Sequence, residues 1–250
     1  MRLRVFRWSP EAPAGRFDEF RVEPATSATV LDALVEVRER LAPELAFRYA
    51  CRVGMCGSCA LVVDGRERWA CRTRLVSLGR RGPDPVVTVR PLYHFPLIRD
   101  LVVDMRPFVE KMQAVGAAFV PRDAGAGATR DASVPPGEPA TAIGSGGAER
   151  RAIDAAIECI GCGACVSACT MVRWNPRFAG PAALNRAFTV VSDSRDGGLA
   201  GRVDALFGED GVLRCHGQAQ CTAVCPMELS PADAILTLRR RAALALFSRG

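Results

Sequence analysis

The residues of this chain best equipped for chemistry are its eleven cysteines, which fall into three groups. Thiolates are soft ligands, so their spacing decides what they hold. Cys51, Cys56 and Cys59 form a C-x4-C-x2-C loop, with Cys71 following as a fourth thiolate. That spacing is the one used by plant-type 2Fe-2S centres. Gly54 and Gly57 within the loop let the backbone wrap closely and turn its N–H groups toward sulfur, which raises a cluster's potential.

Cys159, Cys162, Cys165 and Cys169 follow the C-x2-C-x2-C-x3-C pattern of bacterial ferredoxins, in which the fourth cysteine ligates the other cluster of a pair. The other half of such a pair lies at Cys215, Cys221 and Cys225, followed by Pro226. On the same template these take the first, third and fourth positions, and the second is Gln218. With the crossover applied, Cys159, Cys162, Cys165 and Cys225 surround a 4Fe-4S cluster. Cys169, Cys215 and Cys221 then form a three-cysteine site suited to 3Fe-4S. Every cysteine is used.

Zinc is the plainer reading of C-x2-C pairs. It would need pairs of pairs, which leaves the x4 loop and the uninterrupted four-cysteine run without tetrahedral partners. Disulfides rank lower, because the N-terminus carries no signal-peptide pattern.

Composition narrows the rest. The 250 residues are 49% hydrophobic, enough for two cores. No apolar run reaches the roughly 18 to 20 residues that span a bilayer, so a membrane role is peripheral. Net charge is +6, yet of the 33 basic residues only Lys111 is lysine, and no basic stripe interleaves with aromatics. Nucleic-acid binding is not expected.

The elements that must position the cysteines divide the chain. Residues 2–8 and 16–23 alternate apolar with polar, predicting a hairpin. Val30, Leu31, Leu34, Val37 and Leu41 predict an amphipathic helix behind the cap candidates Ser27 and Thr29. Ala60 to Val63 runs into an Asp64-Gly65 turn, and Val86 to Val89 is another strand. From about 121 to 148 glycine, alanine, proline and serine predominate, as in a linker. Helical patterns follow at 149–158, 181–191 and 231–247, the last opened by Ser230-Pro231-Ala232-Asp233. The expected fold is α+β: a β-grasp, plant-type ferredoxin-like domain over 1–110, a connecting segment over 111–148, and an α-helical, bacterial ferredoxin-like two-cluster domain over 149–250.

Beyond the three cysteine groups, Pro91 to Asp104, Asn175 to Ala182 and Ser194-Arg195-Asp196 resemble the iron-sulfur subunit of succinate dehydrogenase and fumarate reductase, over nearly the whole chain. The resemblance implies an electron-transfer subunit of a succinate:quinone oxidoreductase that is inactive alone, since no G-x-G-x-x-G flavin fingerprint is present. It implies a FAD-bearing partner subunit, membrane anchor subunits with or without haem, quinone as acceptor, and a peripheral place on the cytoplasmic face of a bacterial cell membrane. Trp174 and His216 match family positions near quinone. Thr170 stands where the family usually has proline after Cys169, and Arg173 where an aromatic often precedes Trp174. The competing readings are a quinol:fumarate reductase subunit, a freely diffusing multi-cluster ferredoxin, and a zinc-binding interaction module. Histidine after Cys215 is more typical of the succinate-oxidising branch. Arg239, Arg240 and Arg241 read as a solvated helix face, His94 as structural.

Overall fold

Alternation along the first strand decides which way the N-terminal sheet faces. In β1 (Arg2–Ser9) Leu3, Val5 and Arg7 point inward, as the two-residue period of a strand requires. The computed structural model describes residues 1–23, 25, 28–78, 84–121, 143–144 and 146–247, with side chains through 243. The Ser27 cap candidate and 122–142 lie outside the described residues. The other elements are β2 (Ala12–Arg21), α1 (Val30–Arg40), β3 (Ala60–Val63), β4 (Arg66–Trp69), α2 (Leu75–Leu78), β5 (Val86–Arg90), β6 (Leu97–Arg99), β7 (Val102–Val103) and α3 (Arg106–Ala114). They continue with α4 (Ala148–Ile157), α5 (Ala164–Ser167), α6 (Thr170–Trp174), α7 (Pro181–Val191), α8 (Val203–Phe207), α9 (Gln220–Ala223) and α10 (Pro231–Phe247).

The sheet order is β2-β1-β5-β3-β4, with β1 and β5 parallel and the other pairs antiparallel. Helix α1 buries Val30, Leu31, Ala33, Leu34 and Val37. Thr29 caps it, its side chain accepting from the Asp32 N–H while Asp32 accepts from the Thr29 N–H. Leu41, which the apolar period places on the same stripe, is the C-cap and is exposed, because the helix has ended. The β-grasp expected of the N-terminal half is present, and strands are replaced by helices in the C-terminal half.

The chain forms two compact units. The first contains Met1–Pro107 together with Ile160–Cys169 and Ala223–Glu228. The second contains Phe108–Cys159, Thr170–Thr222 and Leu229–Gly250.

Each unit contains a buried ion pair. In the first, Arg7 donates to Asp100 at 3.1 Å, to Asp18 at 2.9 Å and to Glu44 at 2.8 Å. Asp100 also accepts the N–H groups of Trp8 and Ala46, which explains an aspartate within the Pro91 to Asp104 stretch. In the second, Arg202 and Asp196 are 3% and 7% exposed. They pair bidentately, with Nη2 at 2.9 Å from Oδ2. Arg202 further donates to the carbonyls of Gly116 and Ala118, and Asp196 accepts from the N–H groups of Val120 and Gly198. Of the stretch assigned to the connecting segment, 111–121 is thereby built into the second unit, and Lys111 donates to the Phe178 carbonyl at 2.7 Å.

Burial alone would raise the Asp196 carboxyl, but the Arg202 guanidinium and those two N–H groups hold it below the usual carboxylate range. Arg202→Ala is therefore expected to destabilise the protein by about 3 to 5 kcal/mol at neutral pH, by stranding a buried carboxylate. Because the native carboxyl is depressed, its contribution is present above about pH 4 and lost as pH falls through the folded value. The gap between wild type and variant should narrow below about pH 4. Denaturant unfolding across pH checks both statements; a gap that stays constant would mean the pair carries no charge-dependent stability.

Candidate metal centres

The first cysteine group is assembled by a hairpin. The Asp64-Gly65 turn folds β4 back on β3 so that Ala60 pairs with Trp69, and Ala70 donates to the Cys59 carbonyl at 3.0 Å. Cys59 enters β3 and Cys71 leaves β4, so the turn brings the distant fourth cysteine beside the loop. Around Cys51 the backbone supplies what a cluster sulfur needs: the N–H groups of Met55 and Cys56 each point at its sulfur at 3.3 Å. The Cys51 N–H points at the Cys56 sulfur at 3.5 Å. Cys59 and Cys71 are buried, Cys51 and Cys56 half-buried.

The thiols differ accordingly. The Ser58 hydroxyl, with N–H groups of Cys51 and Ser58 behind it, holds the Cys56 thiol down at about 6. Burial pushes Cys59 up to about 12; the Cys71 backbone N–H opposes the rise, and the Cys71 and Cys56 thiols beside it add to it. The Cys56 side of the loop favours a thiolate, whereas burial on the Cys59 side disfavours one. Four thiols, directed N–H groups and a glycine-wrapped loop fit a 2Fe-2S centre.

The four-cysteine run is built around the short helix α5. Cys162, Cys165 and Cys169 belong to the first unit, as does Cys225, while Cys159, Cys215 and Cys221 belong to the second. The run meets the first loop at Gly57, whose φ is +70° and where an added Cβ would lie 2.6 Å from the Cys162 Cβ. Only glycine fits there. Leu92 and Phe95 close over Gly163, where a Cβ would stand 3.3 and 3.2 Å from them, so the Pro91 to Asp104 stretch is packing for the cysteine run. Among the described residues no three His, Cys, Asp or Glu side chains converge on a single ion. All three ligand sets therefore rest on the spacing, the later two also on the crossover rule.

In the second unit the Gly217 N–H points at the Cys215 sulfur at 3.4 Å. Thr170 and Gln218 hydrogen-bond through their side chains, tying the start of α6 to the loop that carries Cys215 and His216. Thr170, Arg173, Trp174 and His216 are all exposed, Trp174 at 78%, as is Leu213, two residues before Cys215, at 57%. Of the three arginines read as a solvated face, Arg240 and Arg241 are exposed, Arg241 donating to Ser192 at 2.8 Å, whereas Arg239 is half-buried and donates to the Cys215 carbonyl at 2.9 Å. Adjacent helical residues lie about 100° apart and do not share a face. Spacing gave no signal for Arg239, nor for Glu67, which is buried against Ser167.

Residues 2–110 match the family model described as a 2Fe-2S iron-sulfur cluster binding domain, and 158–230 match that of a 4Fe-4S dicluster domain. The chain is 34% identical over 240 residues to the mitochondrial succinate dehydrogenase [ubiquinone] iron-sulfur subunit 1 of Oryza sativa subsp. japonica, covering 94% of this chain and 80% of that protein. It is 33% identical to the succinate dehydrogenase iron-sulfur subunit of Paracoccus denitrificans, with 95% and 86% covered. It is 35% identical to the fumarate reductase iron-sulfur subunit of Escherichia coli O157:H7, with 94% and 90% covered. Among solved structures, a chain of the Mycobacterium smegmatis Sdh1 complex in the apo form superposes with a TM-score of 0.80 at 29% identity, covering 98% of this chain and 96% of that one.

Proposed function

From the premise that this chain belongs to the iron-sulfur subunit family of succinate dehydrogenase and fumarate reductase, we propose that it carries electrons from a FAD-bearing partner subunit to quinone in a succinate:quinone oxidoreductase. The directed N–H groups and four thiols around Cys51 are the observation that carries this reading to chemistry. When bound, the 2Fe-2S, 4Fe-4S and 3Fe-4S clusters supply one-electron carriage between a two-electron donor and a two-electron acceptor. Cys51, Cys56, Cys59 and Cys71 hold the first; Cys159, Cys162, Cys165 and Cys225 the second; Cys169, Cys215 and Cys221 the third. Residues 1–110 and 149–250 act as the two cluster-binding domains.

The chain's own residues perform the remaining tasks. Backbone N–H groups at 55 and 56 stabilise negative charge on the Cys51 sulfur. Trp174, His216, Arg173 and Thr170 form the quinone side: an indole N–H and an imidazole both hydrogen-bond a quinone carbonyl, and the imidazole holds a proton for it. The exposure of Trp174 and Leu213 supports an apolar neighbour there, which in the complex is a membrane anchor subunit. Among the described residues no helix is long and apolar enough to cross a membrane; membership of the family supports a peripheral subunit, which we assign to the cytoplasmic face of the cell membrane. Succinate oxidation is preferred to fumarate reduction because His216 follows Cys215.

The complex purified from native membranes is expected to show all three cluster signals and succinate-driven quinone reduction that the isolated chain lacks. A colourless chain with stoichiometric zinc, or a complex that reduces fumarate from quinol but fails to reduce quinone from succinate, would overturn the respective part.

A further inference from the structure

We infer that Glu67 is a positioning residue for the electron step between the first two centres: a buried carboxylate on β4, fixed by Ser167 of α5, whose negative charge lowers the potentials of the clusters held by the cysteines that follow β4 and flank α5. The inference rests on the ligand assignment above. Glu67 lies on β4, 6% exposed, with Cys71 following that strand. Its Oε1 accepts from the Ser167 hydroxyl at 2.7 Å. Ser167 is 2% exposed and sits in α5 between Cys165 and Cys169.

The direction of the hydroxyl is not arbitrary. Ser167 Oγ lies 2.9 Å from the Tyr93 backbone N–H, which only donates. The serine oxygen therefore accepts there, and its single proton is sent to Glu67. A strand leading to one cysteine group, the helix inside the next, and the Pro91 to Asp104 stretch are tied at one buried point. Within the same unit the Cys51–Cys59 loop and the cysteine run also touch with no side chain between them, at Gly57 and Cys162. Packing alone does not call for an acid at this position, since burying a carboxylate costs free energy that an apolar side chain avoids. What an acid adds is charge. Reduction makes a cluster more negative, so a fixed negative charge beside its ligand loop disfavours the reduced form.

Glu67→Gln keeps the shape and the acceptor for Ser167 while removing the charge. In the complex containing the full chain, redox titration followed by electron paramagnetic resonance should show the 2Fe-2S or 4Fe-4S centre easier to reduce by on the order of tenfold, about 59 mV for one electron. Ser167→Ala, which deletes the donor and keeps the charge, should leave the potentials at or below wild type. A purely structural role would move both variants in the same direction. Unchanged potentials in Glu67→Gln, or, should that variant fail to load, a rise in Ser167→Ala, overturn the inference. Absence of either cluster signal in the wild type would instead overturn the ligand assignment on which it rests.

Discussion

Gln218→Cys is expected to turn the three-cysteine centre into a four-cysteine one, with loss of the 3Fe-type paramagnetic signal of the oxidised protein and a fall in potential on the order of 100 mV or more. Gln218 occupies the second position of the C-x2-C-x2-C-x3-C template whose other members are Cys215, Cys221 and Cys225. It is exposed, on the same loop as Cys215, and hydrogen-bonded to Thr170. A thiolate there supplies the fourth ligand that an additional iron requires. Cluster type and net charge together span potentials of roughly −700 to +450 mV, so a change of both is a large perturbation. A drop of about 59 mV is a tenfold shift in a one-electron equilibrium. Quinone reduction should slow while the earlier centres keep their potentials. Gln218→Ala is the control: it breaks the bond to Thr170 without adding a thiolate and should retain the 3Fe-type signal. If oxidised wild type shows no such signal, Cys169, Cys215 and Cys221 are wrongly grouped.

His216→Ala should lower quinone reduction by on the order of a hundredfold, the usual size of a positioned proton donor. Trp174→Ala should lower it roughly tenfold, about the worth of one hydrogen bond to the reacting oxygen. Oxidation of succinate by an artificial acceptor at the flavin should remain near wild type in both. The reasoning is positional. Trp174 closes α6 and His216 adjoins Cys215, and the Thr170–Gln218 hydrogen bond ties those two segments within one compact unit. Arg173 adds a fixed cation beside them. Equal loss of both activities, with all three clusters present, would mean that these residues serve docking and that quinone binds elsewhere.

Much of this was legible in the chain because it is local. Most neighbouring cysteine ligands are separated by only two to four residues since a cluster is small, and that spacing survives without any knowledge of tertiary structure. The same holds for the alternation of β1, the Asp64-Gly65 turn and the apolar period of α7 and α10, each of which repeats over a few residues. Helices α5, α6 and α9 are four or five residues long, too short to display a period, and gave no signal.

What only the tertiary structure decided is the pairing of buried polar groups. Glu67 meets Ser167 across 100 residues, Arg202 meets the Gly116 carbonyl across 86, and Arg239 reaches the Cys215 carbonyl across 24. None has a periodic partner, and each side chain read alone is an ordinary surface charge. Only burial turns such a charge into a group that must find its partner, because an unpaired ion removed from water costs several kcal/mol. The chain therefore announces which metal centres it holds through the spacing of its thiols, whereas the charges set around them become visible only once folding has brought distant segments together.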